Sequence, residues 1–486
     1  METKHAQRIS NATPPPSGRK PQLNIASRHV DGLLDDLKEY HSIYAPLFQR
    51  QEQRYWALKY MEGQMLDIER KSIEPMATAL DGGNVQAMQQ NISASPWDDR
   101  PIIRAHQQKV AETLGHPDGV LIWDGCDFPK QGQHSVGVAR QHCGALGKIA
   151  NCQASVLLAY ASEAGHTLLD RRLYMPKKWF SPEYAELREV CGVPKALSFQ
   201  TKNELAFSML EDLLEQDVLP FQWITMDEAF GRDTQLLNKI AEKDKYYFAE
   251  IPCDTHVWWQ RPKVVGPQKS SGPGRPPTKL QLAAEAPPPE GVDQLAPTLD
   301  DARWRRLIVH EGTKGPLEVE IAFVRVVFTE NGLPARKEWL VVRRKSSKQP
   351  LSDWKFYRCN APQKTAWKKL ARLTAWRWPI ETTIEECKSH LGMDQYEVRN
   401  WRGWHHHMTL TMLSHHFLVR LRVKFGDDAP ALTVSQLRQL MQVVLPKREF
   451  DAEAALREIK RIQQQNYAAY RSHRKQRWRR KSKSPT

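Results

Sequence analysis

Residues 120–127 read VLIWDGCD, a short apolar run, Val120-Leu121-Ile122-Trp123, that ends on an acid, Asp124. A run of this kind fits a buried strand. A carboxylate at its end is delivered to a cleft at the sheet's rim. The same pattern returns at Phe221–Met226, which runs directly into Asp227. Working outward, His134–Arg140 and Ala150–Ala159 are strand-like, as is Tyr246–Pro252. Leu205, Met209, Leu210, Leu213 and Leu214 mark one face of a helix over Glu204–Leu214, and Leu236–Lys243 is also helical. The order is three strands, helix, strand, helix, strand. Short links suit antiparallel pairing and helical crossovers suit parallel pairing, so the expected class is α/β with a mixed sheet.

Around this core the chain divides by composition. Residues 1–27 are polar and Pro-rich and read as disordered. Residues 28–115 are helical, with Leu33, Leu34, Leu37 and Tyr40 at helix spacing. The core's first part spans 116–253. Residues 254–350 form a β-rich insertion, with a Pro/Gly-rich linker at 262–300 and strand runs at Val319–Phe328 and Trp339–Val342. The core resumes over 351–424, with helices at Glu381–His390 and Met408–Arg422. Residues 425–486 are a helical C-terminal region and a basic tail, read after Tyr470 as a disordered arm.

Lys and Arg number 71 against 56 for Asp and Glu, a formal charge of +15, which points to a polyanionic partner. The seven cysteines form no C-x-x-C pair, which fits free thiols in a reducing compartment. No apolar run is long enough to span a bilayer, and the N-terminus has no secretory core. A soluble, cytoplasmic chain is expected.

Asp124, Asp227 and Glu381 are the acids best placed for chemistry. Phosphodiester cleavage is served by two Mg²⁺ ions held by a few carboxylates, with Mn²⁺ as a substitute. Each acid also has an ordinary explanation. An Asp after a strand is often a turn former or helix cap, and Glu381 lies in the first turn of its helix, where the dipole favours a carboxylate. Asp127 rivals Asp124, and Glu385, one turn from Glu381, rivals it as the third ligand.

The segments IWDGCDFPKQG (122–132), WITMDEAFGRD (223–233) and WPIETTIEECKSHLGMDQYEVRNWRGWHHH (378–407) resemble, in that order, the three acidic regions of bacterial insertion-sequence transposases. The resemblance is to the insertion sequence 701 group of the DDE superfamily. The related insertion sequence 4 group carries Tyr-x2-Arg-x3-Glu-x6-Lys; here Arg377, Glu381 and Lys388 match, and Thr374 stands at the tyrosine position. The resemblance implies a ribonuclease-H-like core with the aspartates on its first and fourth strands, interrupted by a β-rich insertion. It further implies metal-dependent cleavage at transposon ends, strand transfer into target DNA, and a homodimer in the synaptic complex. Localisation at the nucleoid follows, with residues 28–115 binding DNA. The alternative is a transposase-derived DNA-binding protein that no longer cuts.

Several further residues are candidates for DNA contact. Lys388 shares a helix face with Glu381 and would hold a phosphate, with i,i+3 pairing to Glu385 as the other reading. Trp258 and Trp259 would stack on an exposed base, with packing onto the core as the other reading; Trp376 and Trp378 carry the same two readings. Arg477, Arg479 and Arg480 in the tail would bind phosphates. Gly274-Arg275-Pro276 reads as a flexible linker rather than a minor-groove hook. His405, His406, His407, His415 and His416 read as a helix surface near DNA rather than a zinc site.

Overall fold

The computed structural model describes residues 7–8, 22–266, 279–312, 315–449 and 451–481, with only the backbone at 7–8, 309–312, 315–317, 458, 465 and 476–481. Its main sheet is built from β1 (Val120–Pro129), β2 (Ala139–Cys143), β3 (Lys148–Ser162), β4 (Gly165–Tyr174), β5 (Trp223–Met226) and β6 (Tyr246–Ile251). The insertion adds β7 (His256–Trp258), β8 (Trp304–Gly312), β9 (Gly315–Glu330) and β10 (Leu333–Arg344), and β11 (Lys355–Cys359) follows it where the core resumes. β1 is the pivot. It pairs antiparallel with β3 and parallel with β5; β3 pairs antiparallel with β4, and β5 parallel with β6. The result is a mixed sheet in an α/β protein.

Two expectations are corrected here. The stretch at His134–Arg140 contributes only the beginning, Ala139 and Arg140, of the short edge strand β2, which pairs with the start of β3. The strand that lies beyond β3 is β4, which the sequence pattern conceals: its Asp170 and Arg171 are fully buried charges, and a register shift against β3 breaks its alternation. β1 also continues five residues past Asp124, to Pro129, so Asp124 sits within the strand rather than at its end.

The insertion is continuous with the sheet. β11 pairs antiparallel with both β6 and β10, and β10 with β9. The β9–β10 turn places Asn331 (φ 51°) and Gly332 (φ 77°) in the left-handed region, as a tight hairpin with strand-compatible twist requires. The insertion has its own small core, which includes Val257, Val292, Leu295, Phe328 and Val342.

Helices cover the rest. In the N-terminal region these are α1 (Leu33–Ser42), α2 (Gln51–Met65), α3 (Val85–Ser93) and α4 (Asp99–Leu114). Within the core lie α5 (Lys202–Gln216) and α6 (Thr234–Glu242). Thr201 and Glu204 close a reciprocal cap at the start of α5, which fixes where that crossover begins. After the insertion come α7 (Trp378–Leu391), α8 (Trp401–Lys424) and α9 (Ala452–Lys481). α2, α3 and α4 pack on α8, and one hydrophobic core runs from Leu33 to Leu445.

The histidines of α8 are not a DNA-facing surface: all five are buried. His406 sets its two ring nitrogens against the carbonyls of Ile92 and Trp97, and as a neutral ring donates to one of them; His407 meets Tyr60 Oη and the Met393 carbonyl, and His416 meets Tyr40 Oη. They satisfy buried polar groups between helices, and burial holds His405, His406, His407 and His416 neutral. The tail is not an irregular arm either. α9 carries it as helix to Lys481, because Ala452–Tyr470 is an unbroken run of helix formers. No described helix is long and apolar enough to cross a membrane.

Candidate active site

Alternation along β1 puts Ile122, Asp124, Cys126 and Phe128 on one face and Asp127 on the other. Asp127 is therefore out of the running; its Oδ2 accepts from the Gly144 amide at 2.7 Å. Across the parallel pair, Ile122 faces Thr225 and Trp123 faces Met226, so the next step brings Asp124 beside Asp227. Met226 in turn faces Ala249, which brings Asp227 beside Glu250 of β6. Three carboxylates thus form a row across adjacent strands.

Asp227 serves as the N-cap of a one-turn helix, Glu228–Gly231, accepting from the amides of Ala229 (3.0 Å) and Phe230 (3.3 Å). That fixes one oxygen and leaves the carboxylate turned toward the row. Asp124 Oδ1 accepts from the Gly125 amide at 2.8 Å. Burial, then the Asp227 charge, push Asp124 up to about 7, with Arg377 opposing. Asp227 is also raised, by burial first, against Arg377 and its two amide donors. Like charges held side by side out of water produce this, and a cation relieves it.

α7 supplies the remaining groups. Arg377 is its N-cap residue, just outside the helix, with Pro379 in the first turn. Its Nη2 donates to Glu381 Oε1 at 2.6 Å. Against the burial that opposes it, Asp124, Glu381, Glu250 and Asp227 hold this guanidinium firmly protonated. Glu381 acts on Asp124 electrostatically, whereas Glu385, one turn on, is exposed. Lys388 points back to β1, 5.7 Å from the Phe128 ring centre and beside the Cys126 thiol.

The donor chemistry suits a hard divalent cation, since Asp124, Asp227 and Glu381 offer carboxylate oxygens. They are not drawn into a chelate: among the described residues no three His, Cys, Asp or Glu side chains form a metal-holding group. Glu381 is engaged by Arg377 instead.

The other candidates fall in several places. Trp258 is buried, and its indole donates to the Pro287 carbonyl at 2.8 Å, so it is a packing residue. Trp259 is 40% exposed and lines an open pocket of about 610 Å³ with Arg303, Phe323, Arg325, Lys337 and Trp339. Trp376 is part-buried against the core, and Trp378 is exposed at the start of α7. Thr374 is buried, its hydroxyl donating to the Ala371 carbonyl at 2.7 Å. The side chains of Arg477, Arg479 and Arg480 lie outside the described residues, as do Gly274, Arg275 and Pro276.

The sequence reading missed Glu250. A signal was available: Tyr246–Pro252 was read as a strand, and Glu250 is the one acid in it. Its carboxylate is nearly buried and pairs with Lys355 Nζ at 2.6 Å. Lys355, Tyr357 and Arg343 could not be found from sequence spacing, because only the pairing of β11 with β6, and of β10 with β11, brings them to this face.

A family model described as "DDE superfamily endonuclease" matches residues 44–316. The chain belongs to the DDE superfamily endonucleases. The matched part of this endonuclease includes Asp124, Asp227 and Glu250 and ends before Tyr357, Arg377 and Glu381. A curated protein of Microchaete diplosiphon, "Probable transposase for insertion sequence element IS701", is 24% identical over 237 residues. That match covers 46% of this chain and 58% of the relative. Among solved structures, the NurA nuclease from Sulfolobus solfataricus aligns over 61% of this chain and 86% of its own, at 10% identity and a TM-score of 0.27. At that score the likeness carries no argument.

Proposed function

We propose that this DDE superfamily endonuclease is a cut-and-paste transposase, which cleaves DNA at transposon ends and joins the freed strand to target DNA. The observation that carries the reading is the side-by-side setting of Asp124 and Asp227 on parallel strands, facing Glu381 and Arg377. The strand order β4-β3-β1-β5-β6, with β3 antiparallel, supports a ribonuclease-H-like core bearing its aspartates on the first and fourth strands. Two Mg²⁺ ions, or Mn²⁺ in their place, held by Asp124, Asp227 and Glu381 would activate the attacking water or 3′-hydroxyl and stabilise the leaving oxygen.

The chain's own residues do the positioning. Arg377 neutralises the carboxylate row and orients Glu381, and on arrival of a phosphate its planar fork is suited to the non-bridging oxygens. Lys388 supplies a second cation on the β1 side. Trp259, with Arg303, Arg325 and Lys337 around one pocket, offers a stacking face and phosphate contacts. The N-terminal helices and the basic end of α9, through Arg477, Arg479 and Arg480, add non-specific DNA affinity. Two copies would act together at paired ends.

The test is nicking of a supercoiled plasmid that carries the DNA flanking this gene, with purified protein and Mg²⁺. Cleavage at the element's ends is expected, and Asp227→Asn abolishes it. Full activity in Asp227→Asn overturns the assignment. The ion pair that keeps Glu381 from its partner acids favours a second reading, a DNA-binding protein that does not cut. Sequence-specific binding without metal-dependent cleavage would establish that reading instead.

A further inference from the structure

The carboxylate row does not stop at the core. β11 closes onto β6 with Tyr357 directly opposite Glu250, which places the tyrosine on the same face as Glu250, Asp227 and Asp124. Neighbouring strands lie about 4.8 Å apart, so Tyr357 stands two strands, or about 10 Å, from Asp227 at the backbone. Its ring is fixed in place: it stacks on Phe248 with centroids 4.8 Å apart and planes 28° apart, and the Arg343 guanidinium lies 5.8 Å from it. Arg343 is itself held by the Thr374 carbonyl at 3.0 Å.

The hydroxyl is the informative atom. Buried tyrosines normally bond their hydroxyl to something. Here Tyr40, Tyr44, Tyr60, Tyr160, Tyr247 and Tyr396 all do so. Tyr357 is only 5% exposed, yet among the described residues its hydroxyl has no partner. It is also absent from the fully enclosed unpaired atoms, so it opens onto the site. The charges that act on it are Arg343, Glu250, Arg377 and Glu381, the site's own groups. Burial first, with Glu250 adding to it, pushes the phenol up to about 12, so it carries its proton and can donate at neutral pH. In the free protein water can meet this hydroxyl; a DNA-borne acceptor that replaces it must be anionic or polar and fit between the Arg343 and Arg377 guanidiniums.

We propose that Tyr357 donates a hydrogen bond to a non-bridging oxygen of a phosphate in the DNA strand being cut. The strand that follows the insertion thereby completes the site, which accounts for β11 pairing directly with β6 of the main sheet. The inference rests on the carboxylate row being the cutting site.

The experiment uses the full chain, wild type and Tyr357→Phe, with Asp124→Asn as reference. The probe is a supercoiled plasmid carrying the DNA on both sides of the gene; once the cut is mapped, a linear duplex with a single phosphorothioate there follows. Tyr357→Phe removes a hydroxyl with no internal partner, so its melting temperature stays at the wild-type value. Its single-turnover cleavage falls about 10- to 100-fold. Sulfur at the contacted oxygen slows the wild type and slows the variant far less. A variant that cuts within threefold of wild type, or keeps the full sulfur effect, overturns the proposal while leaving the site intact. A wild type that does not cut, or an Asp124→Asn variant that does, overturns the site reading and this proposal with it.

Discussion

Asp170→Asn tests the charge network that seats β4, and with it the outer part of the sheet. Asp170 is completely buried and receives five donors: Arg100 Nη1 (2.9 Å) and Nη2 (3.0 Å), Arg172 Nη1 (2.7 Å), Arg171 Nη1 (3.3 Å) and the Arg171 amide (2.8 Å). Burial alone would raise this carboxyl, but Arg172, Arg100 and Arg171 outweigh it and hold it far below the carboxylate range. The amide keeps the shape and removes the charge, which leaves Arg171, itself fully buried, with Asp99 as its remaining anion. Breaking a buried pair from one side costs about 3–5 kcal/mol. The partly exposed Asp212 shares Arg100 and Arg172, so Asp212→Asn is the control, expected to cost below about 1 kcal/mol. Urea unfolding followed by tryptophan fluorescence measures both. An Asp170→Asn variant within about 1 kcal/mol of wild type would show that the network is not what holds β4 in place. A depressed carboxyl contributes fully above its unfolded value, here 3.8, and loses that contribution progressively as pH falls from there toward its folded one. Asp170 therefore stays ionised in acid and is not what fails first.

Asp124 behaves the opposite way: its folded value of about 7 lies above the ordinary 3.8, so folding favours its protonated form and stability is lost as pH rises toward and through 7. Asp124→Asn removes that penalty and melts higher than wild type at pH 8, with the gap closing toward pH 4; equal melting at pH 8 refutes the reasoning. His41, His106, His406 and His407 are lowered from 6.5 to about 4 by burial, so their contribution is present above 6.5 and is lost as pH falls from there toward 4. Circular dichroism should place acid unfolding inside that window, with uptake of about four protons from these groups at pH 5; a native spectrum persisting below pH 4 would contradict it.

β1, β5 and β6 were legible because their residues face apolar surroundings on both sides, and an unbroken apolar run needs no partner to be recognised. Helices α5 and α6 were legible from periodicity and their caps. β4 was not, because its Asp170 and Arg171 are neutralised by residues of α4 and α8 that are distant in sequence. The histidines of α8 misled for the same reason: five imidazoles look like a polar surface until Tyr40, Tyr60 and the Trp97 carbonyl are brought to them.

By itself, the sequence determined that two acids follow strand-like apolar runs of an expected mixed sheet, that a third follows an arginine onto a late helix, and that the net charge points to a polyanion. Those are local facts, written in runs and spacings. Only the tertiary structure decided that Asp127 faces away and that Glu381 rather than Glu385 meets Arg377 beside Asp124. Only it placed Glu250 and Tyr357 in the same row. Strand register is set by pairing between segments far apart in the chain, and a shift of one residue would turn every one of these side chains to the other face.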